Sequence, residues 1–212
     1  MSPFFSALSL LFATAQAAEH ELDVEAGWLH SPDQAWDTFS ESELYGTLGL
    51  RIGYAFHPRL AAIVGWQHGN TGAELGAGDD DEYDALTASY PNPLTAAFYG
   101  DQVTAGIKGD VQLAEWFHPY ATLQAAAMHG VARFDDDPDR DDNLTQVQGG
   151  GWTGGGLVAA GAEFPIPLGN SGLSLAPYTE LGYGLYAPLK LGDFGSVDLR
   201  GFTGRAGIGL RF

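Results

Sequence analysis

The chain has 212 residues and a formal net charge of −18, from 27 Asp and Glu against 9 Lys and Arg. It contains 30 glycines and no cysteine, and only 17% of its residues are charged. Because Lys and Arg never cluster, the sequence excludes a nucleic-acid partner. The absence of cysteine excludes disulfide scaffolds, Cys-based zinc sites and thiol nucleophiles. This composition fits neither a disordered chain nor an ordinary cytosolic domain.

The first 17 residues, MSPFFSALSLLFATAQA, carry no charged side chain and have an apolar centre. This apolar stretch is shorter than the roughly 20 residues that a transmembrane helix needs. Ala15 and Ala17 form an A-x-A cleavage site. We therefore predict a secretory signal peptide over residues 1–17 and a single domain over residues 18–212. The alternative is an N-terminal core helix.

The rest of the chain alternates between apolar and polar residues, which is the pattern of strands whose two faces meet different surroundings. In residues 43–57 the even positions are apolar apart from one Gly, whereas the odd positions are mostly glycine, polar or charged. Such a segment exceeds the roughly 9–11 residues that a tilted strand needs to cross a membrane. Eight segments follow the pattern, at approximately 20–30, 43–57, 59–69, 99–113, 119–133, 148–164, 173–187 and 197–212.

Short and long connections alternate strictly between these segments. An up-and-down barrel with tight turns at one rim and long loops at the other predicts this alternation. The predicted fold is therefore all-β, an eight-stranded antiparallel up-and-down transmembrane β-barrel. The longer connections are residues 31–42, 70–98, 134–147 and 188–196.

A soluble lipocalin-like barrel is the main alternative, because alternation alone does not show which face is outward. The membrane barrel is favoured by the C-terminal aromatic residue and by the lack of disulfides in an exported chain. The second face is also too charged and glycine-rich to line a ligand cup. Aromatic residues near the strand ends suit interfacial girdles; they are Trp28, Tyr54, Phe56, Trp66, Trp152 and Phe164.

Most acidic residues lie in the four long connections. Solvated, self-repelling loops are one interpretation. The other is capture of Ca²⁺ or Mg²⁺, which prefer oxygen ligands, with Asp137, Asp139 and Asp141 as candidate ligands. The surrounding segment lacks the Gly and the terminal Glu of an EF-hand loop. No other cofactor is predicted.

The polar face of the strands, which points away from lipid, predicts what fills the barrel. Eight strands enclose a space just wide enough for side chains, which excludes a wide pore. Depths counted from the short turns predict an ionic network of Glu25, Arg51, Glu180 and Arg205, because an unpaired charge in this confined space is costly. A simple plug is one interpretation of this network, and an ion gate is the other. The other inward positions include Asp23, Lys108, Asp110, Glu163, Tyr178 and Arg211.

Taken together, the export segment, the eight strands, the loop alternation and the last residues resemble the small Gram-negative outer-membrane barrels. This class includes the transmembrane domain of OmpA, OmpX and OmpW. Its last strand ends in an aromatic residue, with apolar residues at alternate preceding positions, and the barrel-assembly machinery reads that signal. Phe212, Leu210 and Ile208 match it. The resemblance implies an outer-membrane location and contact with lipid and lipopolysaccharide; we also predict a monomer.

Three functions follow in order of preference. The first is a non-enzymatic integral outer-membrane protein whose long acidic extracellular loops contribute to envelope integrity or adhesion. The second is a narrow channel or a carrier of small hydrophobic ligands, as in OmpW. The third is a lipid A-modifying enzyme that uses His68 or His129 near the long-loop rim. The register points both histidines toward lipid, and no Ser lies within two residues of either.

Overall fold

The computed structural model contains eight long strands in the part of the chain that it describes. The described residues are 20–40, 44–75, 94–136, 147–169, 172–192 and 195–212. The long strands are β1 (His20–His30), β2 (Leu44–His57), β3 (Leu60–Leu75), β4 (Leu94–Asp110), β5 (His118–Asp136), β6 (Val147–Glu163), β8 (Ser174–Tyr186) and β11 (Gly201–Arg211). The short elements are a helix, α1 (Gln34–Asp37), and the strands β7 (Ile166–Pro167), β9 (Leu189–Lys190) and β10 (Ser196–Val197).

The eight long strands form a closed antiparallel barrel. Each pairs with its neighbours along the chain, and β1 closes the sheet by pairing with β11. Closure satisfies the backbone hydrogen bonds that an open sheet would leave unpaired in hydrocarbon. The predicted eight-stranded up-and-down barrel is confirmed. The predicted signal peptide over residues 1–17 lies outside the described residues and stays a prediction.

The apolar row of each strand lies on the outside of the barrel. Leu48 and Ile52 are 69% and 61% exposed, whereas Arg51 between them is 1% exposed. A soluble barrel would have the opposite arrangement, so that alternative is excluded. Each of the aromatic residues predicted to form girdles has more than a third of its surface exposed. No helix in the described segments is both long and apolar enough to span a membrane.

The two ends of the barrel differ. The short-turn rim carries residues 58–59, 111–117, 164–169 and 172–173, together with the start of β1 and the end of β11. The opposite end, the long-loop rim, carries the four long connections. Strands β3 to β6 extend beyond their neighbours at this rim.

Three strand boundaries differ from the predicted ones by at least four residues. Strand β3 continues to Leu75 instead of residue 69, and β4 begins at Leu94 instead of residue 99. The alternation of apolar and polar residues is weak in these extensions, because they lie beyond the lipid-facing part of the barrel wall. The last strand begins at Gly201 instead of residue 197, because β10 pairs with β9 in a separate hairpin.

Candidate functional site

The predicted interior residues meet in one buried ionic group, here called the central cluster. The Arg51 guanidinium is its centre: Nε lies 2.8 Å from Asp23 Oδ2, and Nη1 lies 3.3 Å from Glu180 Oε2 and 3.8 Å from Glu25 Oε2. Arg205 Nη1 lies 3.4 Å from Glu180 Oε1. All five side chains are at most 5% exposed. The structure therefore brings the four predicted network residues together and adds Asp23.

The register of the strands explains why the side chains of the central cluster contact one another. Arg205 lies directly opposite Glu180 on β8, and Arg51 lies directly opposite Asp23 on β1. Glu25 faces Gly49, so its carboxylate extends toward the axis, where Tyr178 Oη donates to it at 2.7 Å. Gln67 Nε2 donates to the other oxygen at 2.6 Å. Gln67 was not among the predicted residues, although its position on the inward row of β3 was a usable signal.

A second ionic group, the rim cluster, lies nearer the short-turn rim. Lys108 Nζ lies 2.6 Å from Glu21 Oε2 and also pairs with Glu163. Arg211 pairs with the second oxygen of Glu163. The Lys108 ammonium also lies 5.1 Å from the centre of the Tyr120 ring, close enough for a cation–π contact. Glu21 was not predicted, yet it shares the inward row of β1 with the central cluster.

The interior near the long-loop rim is apolar instead of ionic. Trp36 and Phe39, from the connection that contains α1, are buried, and the Trp36 ring centre lies 5.0 Å from that of Phe98. We call this group the apolar cap. Its larger members are Leu29, Trp36, Phe39, Tyr45, Phe98, Met128, Leu157, Tyr186, Leu189, Leu191, Val197 and Leu199. The sequence pattern did not predict this cap.

Hydrogen bonds accepted by the Asp33 carboxylate help to join the two connections that build the cap. Asp33 Oδ1 accepts from the Ala35 amide at 3.1 Å and caps α1, while Oδ2 accepts from the Asp198 amide at 2.7 Å. Ser31 Oγ donates to the Asp198 carbonyl at 2.7 Å.

A hydrogen bond from the Arg200 guanidinium lowers the pKa of the Asp198 carboxyl. The stabilisation from that pair is therefore present above the usual aspartate pKa and is lost as pH falls through the lowered one.

Asp33→Ala should lower the free energy of unfolding by about 1–3 kcal/mol, because it removes a helix cap and a second hydrogen bond. Urea titration of the folded barrel in vesicles, followed by gel mobility without boiling, measures this change. Asp33→Asn keeps one acceptor oxygen and should therefore lower the free energy of unfolding by about half as much as the alanine variant. An alanine variant as stable as the wild type would show that the two connections do not depend on Asp33.

The predicted metal ligands are not placed by the structure. Asp137, Asp139 and Asp141 lie in the connection 137–146, outside the described residues. Among the residues that are described, no three His, Asp or Glu side chains are arranged to hold a metal ion. Cation capture by the acidic loops therefore stays a prediction.

The two candidate catalytic histidines lie on the outer wall. His68 Nδ1 lies 3.1 Å from Asp101 Oδ1 on the adjacent strand, and both side chains are about half exposed. His129 contacts the Trp152 ring, with ring centres 5.0 Å apart. Asp101 was not predicted; finding it required the register between β3 and β4, which pairs it directly with His68. Its other cross-strand neighbour is His129, so no hydroxyl or thiol nucleophile lies directly opposite Asp101.

The C-terminal residues of the predicted assembly signal close the barrel. Phe212 and Ile208 are 52% and 56% exposed on the outer wall, and Leu210 is half-buried. The Phe212 amide donates to the His20 carbonyl at 3.0 Å, which joins the end of the chain to the start of β1.

No family model and no curated protein matches the sequence. Solved structures do match its fold. The outer membrane protein OprG from Pseudomonas aeruginosa gives a TM-score of 0.52 at 13% identity, covering 92% of this chain and 96% of that one. A major outer membrane protein from Thermus thermophilus gives 0.50 at 14% identity, covering 91% and 99%. Ail, the attachment invasion locus protein of Yersinia pestis, gives 0.49 at 16% identity, covering 93% and 100%. The chain has the fold of the small outer-membrane β-barrels.

Proposed function

We propose that this protein is a non-enzymatic integral outer-membrane barrel with a sealed interior, which serves envelope integrity or surface interaction. The observation that carries this proposal is the filling of the barrel from one rim to the other. The rim cluster, the central cluster and the apolar cap follow one another along the axis. The cavity between the cap and the central cluster measures only ≈ 20 Å³. Side chains therefore occupy the path that a solute would take.

The outer wall and the charge distribution support this assignment. The exposed apolar rows match the lipid-facing band of an outer-membrane barrel, and the fold is that of outer-membrane proteins. The long connections that carry most of the acid then face the cell exterior. Their carboxylates would meet the phosphates of lipopolysaccharide through bridging divalent cations. A monomer and recognition of Phe212 by the barrel-assembly machinery complete the proposal.

Planar-bilayer recording tests the sealed interior. We expect no stepwise conductance from the folded wild type or from folded Arg51→Ala, because the apolar cap still blocks the axis after the arginine is removed. Gel mobility with and without boiling shows which fraction is folded. Conductance steps from the wild type would contradict the proposal. Steps confined to Arg51→Ala would assign a gating role to the central cluster.

A carrier of small apolar molecules is the second candidate, and the apolar cap favours it. If α1 and the β9–β10 hairpin moved outward, the remaining walls would present Tyr45, Phe98 and Met128 to an apolar solute. Saturable uptake of such a solute into vesicles that contain the wild type, without ionic conductance, would favour this function over the sealed barrel.

A further inference from the structure

A row of polar side chains crosses the outer wall of the barrel near the long-loop rim. The register of the strands places Asp101 of β4 directly opposite His68 of β3 and His129 of β5. The outward residues next to this row on the short-turn side are apolar, and Trp66 and Val103 are 46% and 48% exposed. Because polar groups in hydrocarbon are costly, the row marks the outer edge of the lipid-facing band. Outward side chains beyond it meet the headgroup layer instead of acyl chains.

Arg133 lies beyond this row on the outward face of β5. It is four residues past His129, which corresponds to about 10 Å along the membrane normal for a strand tilted by about 40°. Its side chain is half-buried, and the guanidinium carbon lies 5.3 Å from the centre of the Tyr99 ring. Tyr99 pairs with Val131, two residues nearer the polar row, so the guanidinium extends back toward the membrane. The cation is therefore held at the depth of the headgroups.

Arg133 forms no ion pair with any side chain that the structure describes. This is unusual in a chain with three acidic residues for each basic one. The nearest described carboxylate on the same face, Asp101, is paired with His68, with 3.1 Å between Oδ1 and Nδ1. The paired cations of the described part are Arg51, Lys108, Arg200, Arg205 and Arg211. The charge of Arg133 therefore remains available to a ligand from outside the barrel.

The side chains next to Arg133 suit an anionic ligand. Tyr99 contributes a phenol, and Gln148, directly opposite Arg133 on β6, contributes an exposed amide. The other cross-strand neighbour is Ala97, which is small and uncharged. A planar guanidinium can bind two oxygens of a phosphate through parallel hydrogen bonds, and the phenol and amide can donate to the remaining oxygen. Together with the depth of the site, this chemistry indicates the phosphate of a lipid.

We propose that Arg133, Tyr99 and Gln148 form a binding site for the phosphate of an outer-leaflet lipid. The inference rests on the proposed outer-membrane function and names a lipid partner for the barrel wall. Arg133 makes the charged contact, and the apolar wall of β4 and β5 below the polar row receives the acyl chains of the same lipid. Because a protein cation makes the contact, the site needs no divalent cation, in contrast to the acidic connections.

Native mass spectrometry of the folded protein in a neutral detergent with EDTA tests the site. The probe is phosphatidic acid, whose headgroup is a phosphate monoester, and the reference is diacylglycerol with the same chains and no phosphate. We expect the wild type to bind phosphatidic acid more tightly than diacylglycerol by about fivefold or more, as for a charge-assisted contact. Arg133→Gln should remove this preference. Arg133→Lys should keep part of it, because an ammonium lacks the planar fork of the guanidinium.

Lys190→Gln is the matched control, because it removes an exposed cation of β9 at the same rim. It should bind phosphatidic acid as the wild type does, and gel mobility without boiling should show that all variants are folded. Equal binding by the wild type and Arg133→Gln would overturn the proposal. Displacement of the lipid by millimolar inorganic phosphate would also overturn it, because the site would then be one for a free anion.

Asp101→Asn separates a phosphate site from a site for an ammonium headgroup. Removal of this carboxylate lowers the negative charge on the same face, so phosphatidic acid should bind at least as tightly as it does to the wild type. If the wild type instead prefers phosphatidylethanolamine to phosphatidic acid and Asp101→Asn loses that preference, the wall recognises an ammonium and the proposal is wrong. None of these readouts depends on conductance, so failure of the lipid site is distinguishable from failure of the sealed interior.

Discussion

Trp36→Ala should lower the free energy of unfolding of the folded barrel by about 3–5 kcal/mol, the usual cost of truncating a large buried aromatic residue. The Trp36 side chain is fully buried, and its ring centre lies 5.0 Å from that of Phe98 and 5.9 Å from that of Tyr45. Its removal leaves a cavity where α1 enters the barrel. Urea unfolding in vesicles, read as the fraction with folded gel mobility, measures the loss.

Trp116→Ala provides the control. Trp116 lies in a turn at the opposite rim and is 65% exposed, so its truncation should change the free energy of unfolding by less than about 1 kcal/mol. A protease added to intact vesicles should also cut the connection 31–43 faster in Trp36→Ala than in the wild type. Similar small effects of the two substitutions would mean that the cap does not stabilise the barrel.

The barrel and its ionic interior could be predicted because lipid exposure imposes a strict period of two over long strands. Once one row was assigned to lipid, every charged residue on the other row had to be inside, and this placed Arg51 and Glu180 in one network. Glu21 and Gln67 follow from the same rule. Beyond the lipid-facing part of the strands the period of two weakens. For that reason the far end of β3 was predicted to be part of a connection.

The apolar cap could not be predicted from periodicity. Its loop residues are scattered among polar ones, as in Trp36 and Phe39 beside Asp33, and α1 has only four residues. Whether such residues face solvent or fold inward depends on the space left between the barrel walls, which is a tertiary property. The pairing of His68 with Asp101 was hidden for a related reason. It depends on the register between two strands joined by a long connection, and a slip of one residue would reverse the faces.

Arg51→Ala should lower the free energy of unfolding by about 3–5 kcal/mol, because it leaves buried carboxylates without their shared cation. Asp23 loses its 2.8 Å partner, and Glu25 and Glu180 each lose one cation. Arg51→Lys should recover only part of this loss, since an ammonium cannot reproduce the guanidinium's several directed hydrogen bonds. The measurement is again urea unfolding of the folded fraction in vesicles.

A double substitution separates lost attraction from lost packing. Asp23→Asn in the Arg51→Ala background removes one of the stranded carboxylates, so the double variant should be more stable than Arg51→Ala alone. In the wild-type background the same Asp23→Asn change should destabilise, because Arg51 loses a partner there. The interaction energy from this cycle should lie at about 1–3 kcal/mol, as for directly contacting groups. Additive effects would mean that the arginine fills space in the barrel without neutralising the carboxylates. Arg59→Ala is the control: Arg59 lies on an exposed turn, so this variant shows how much the free energy of unfolding changes when a cation outside the network is removed.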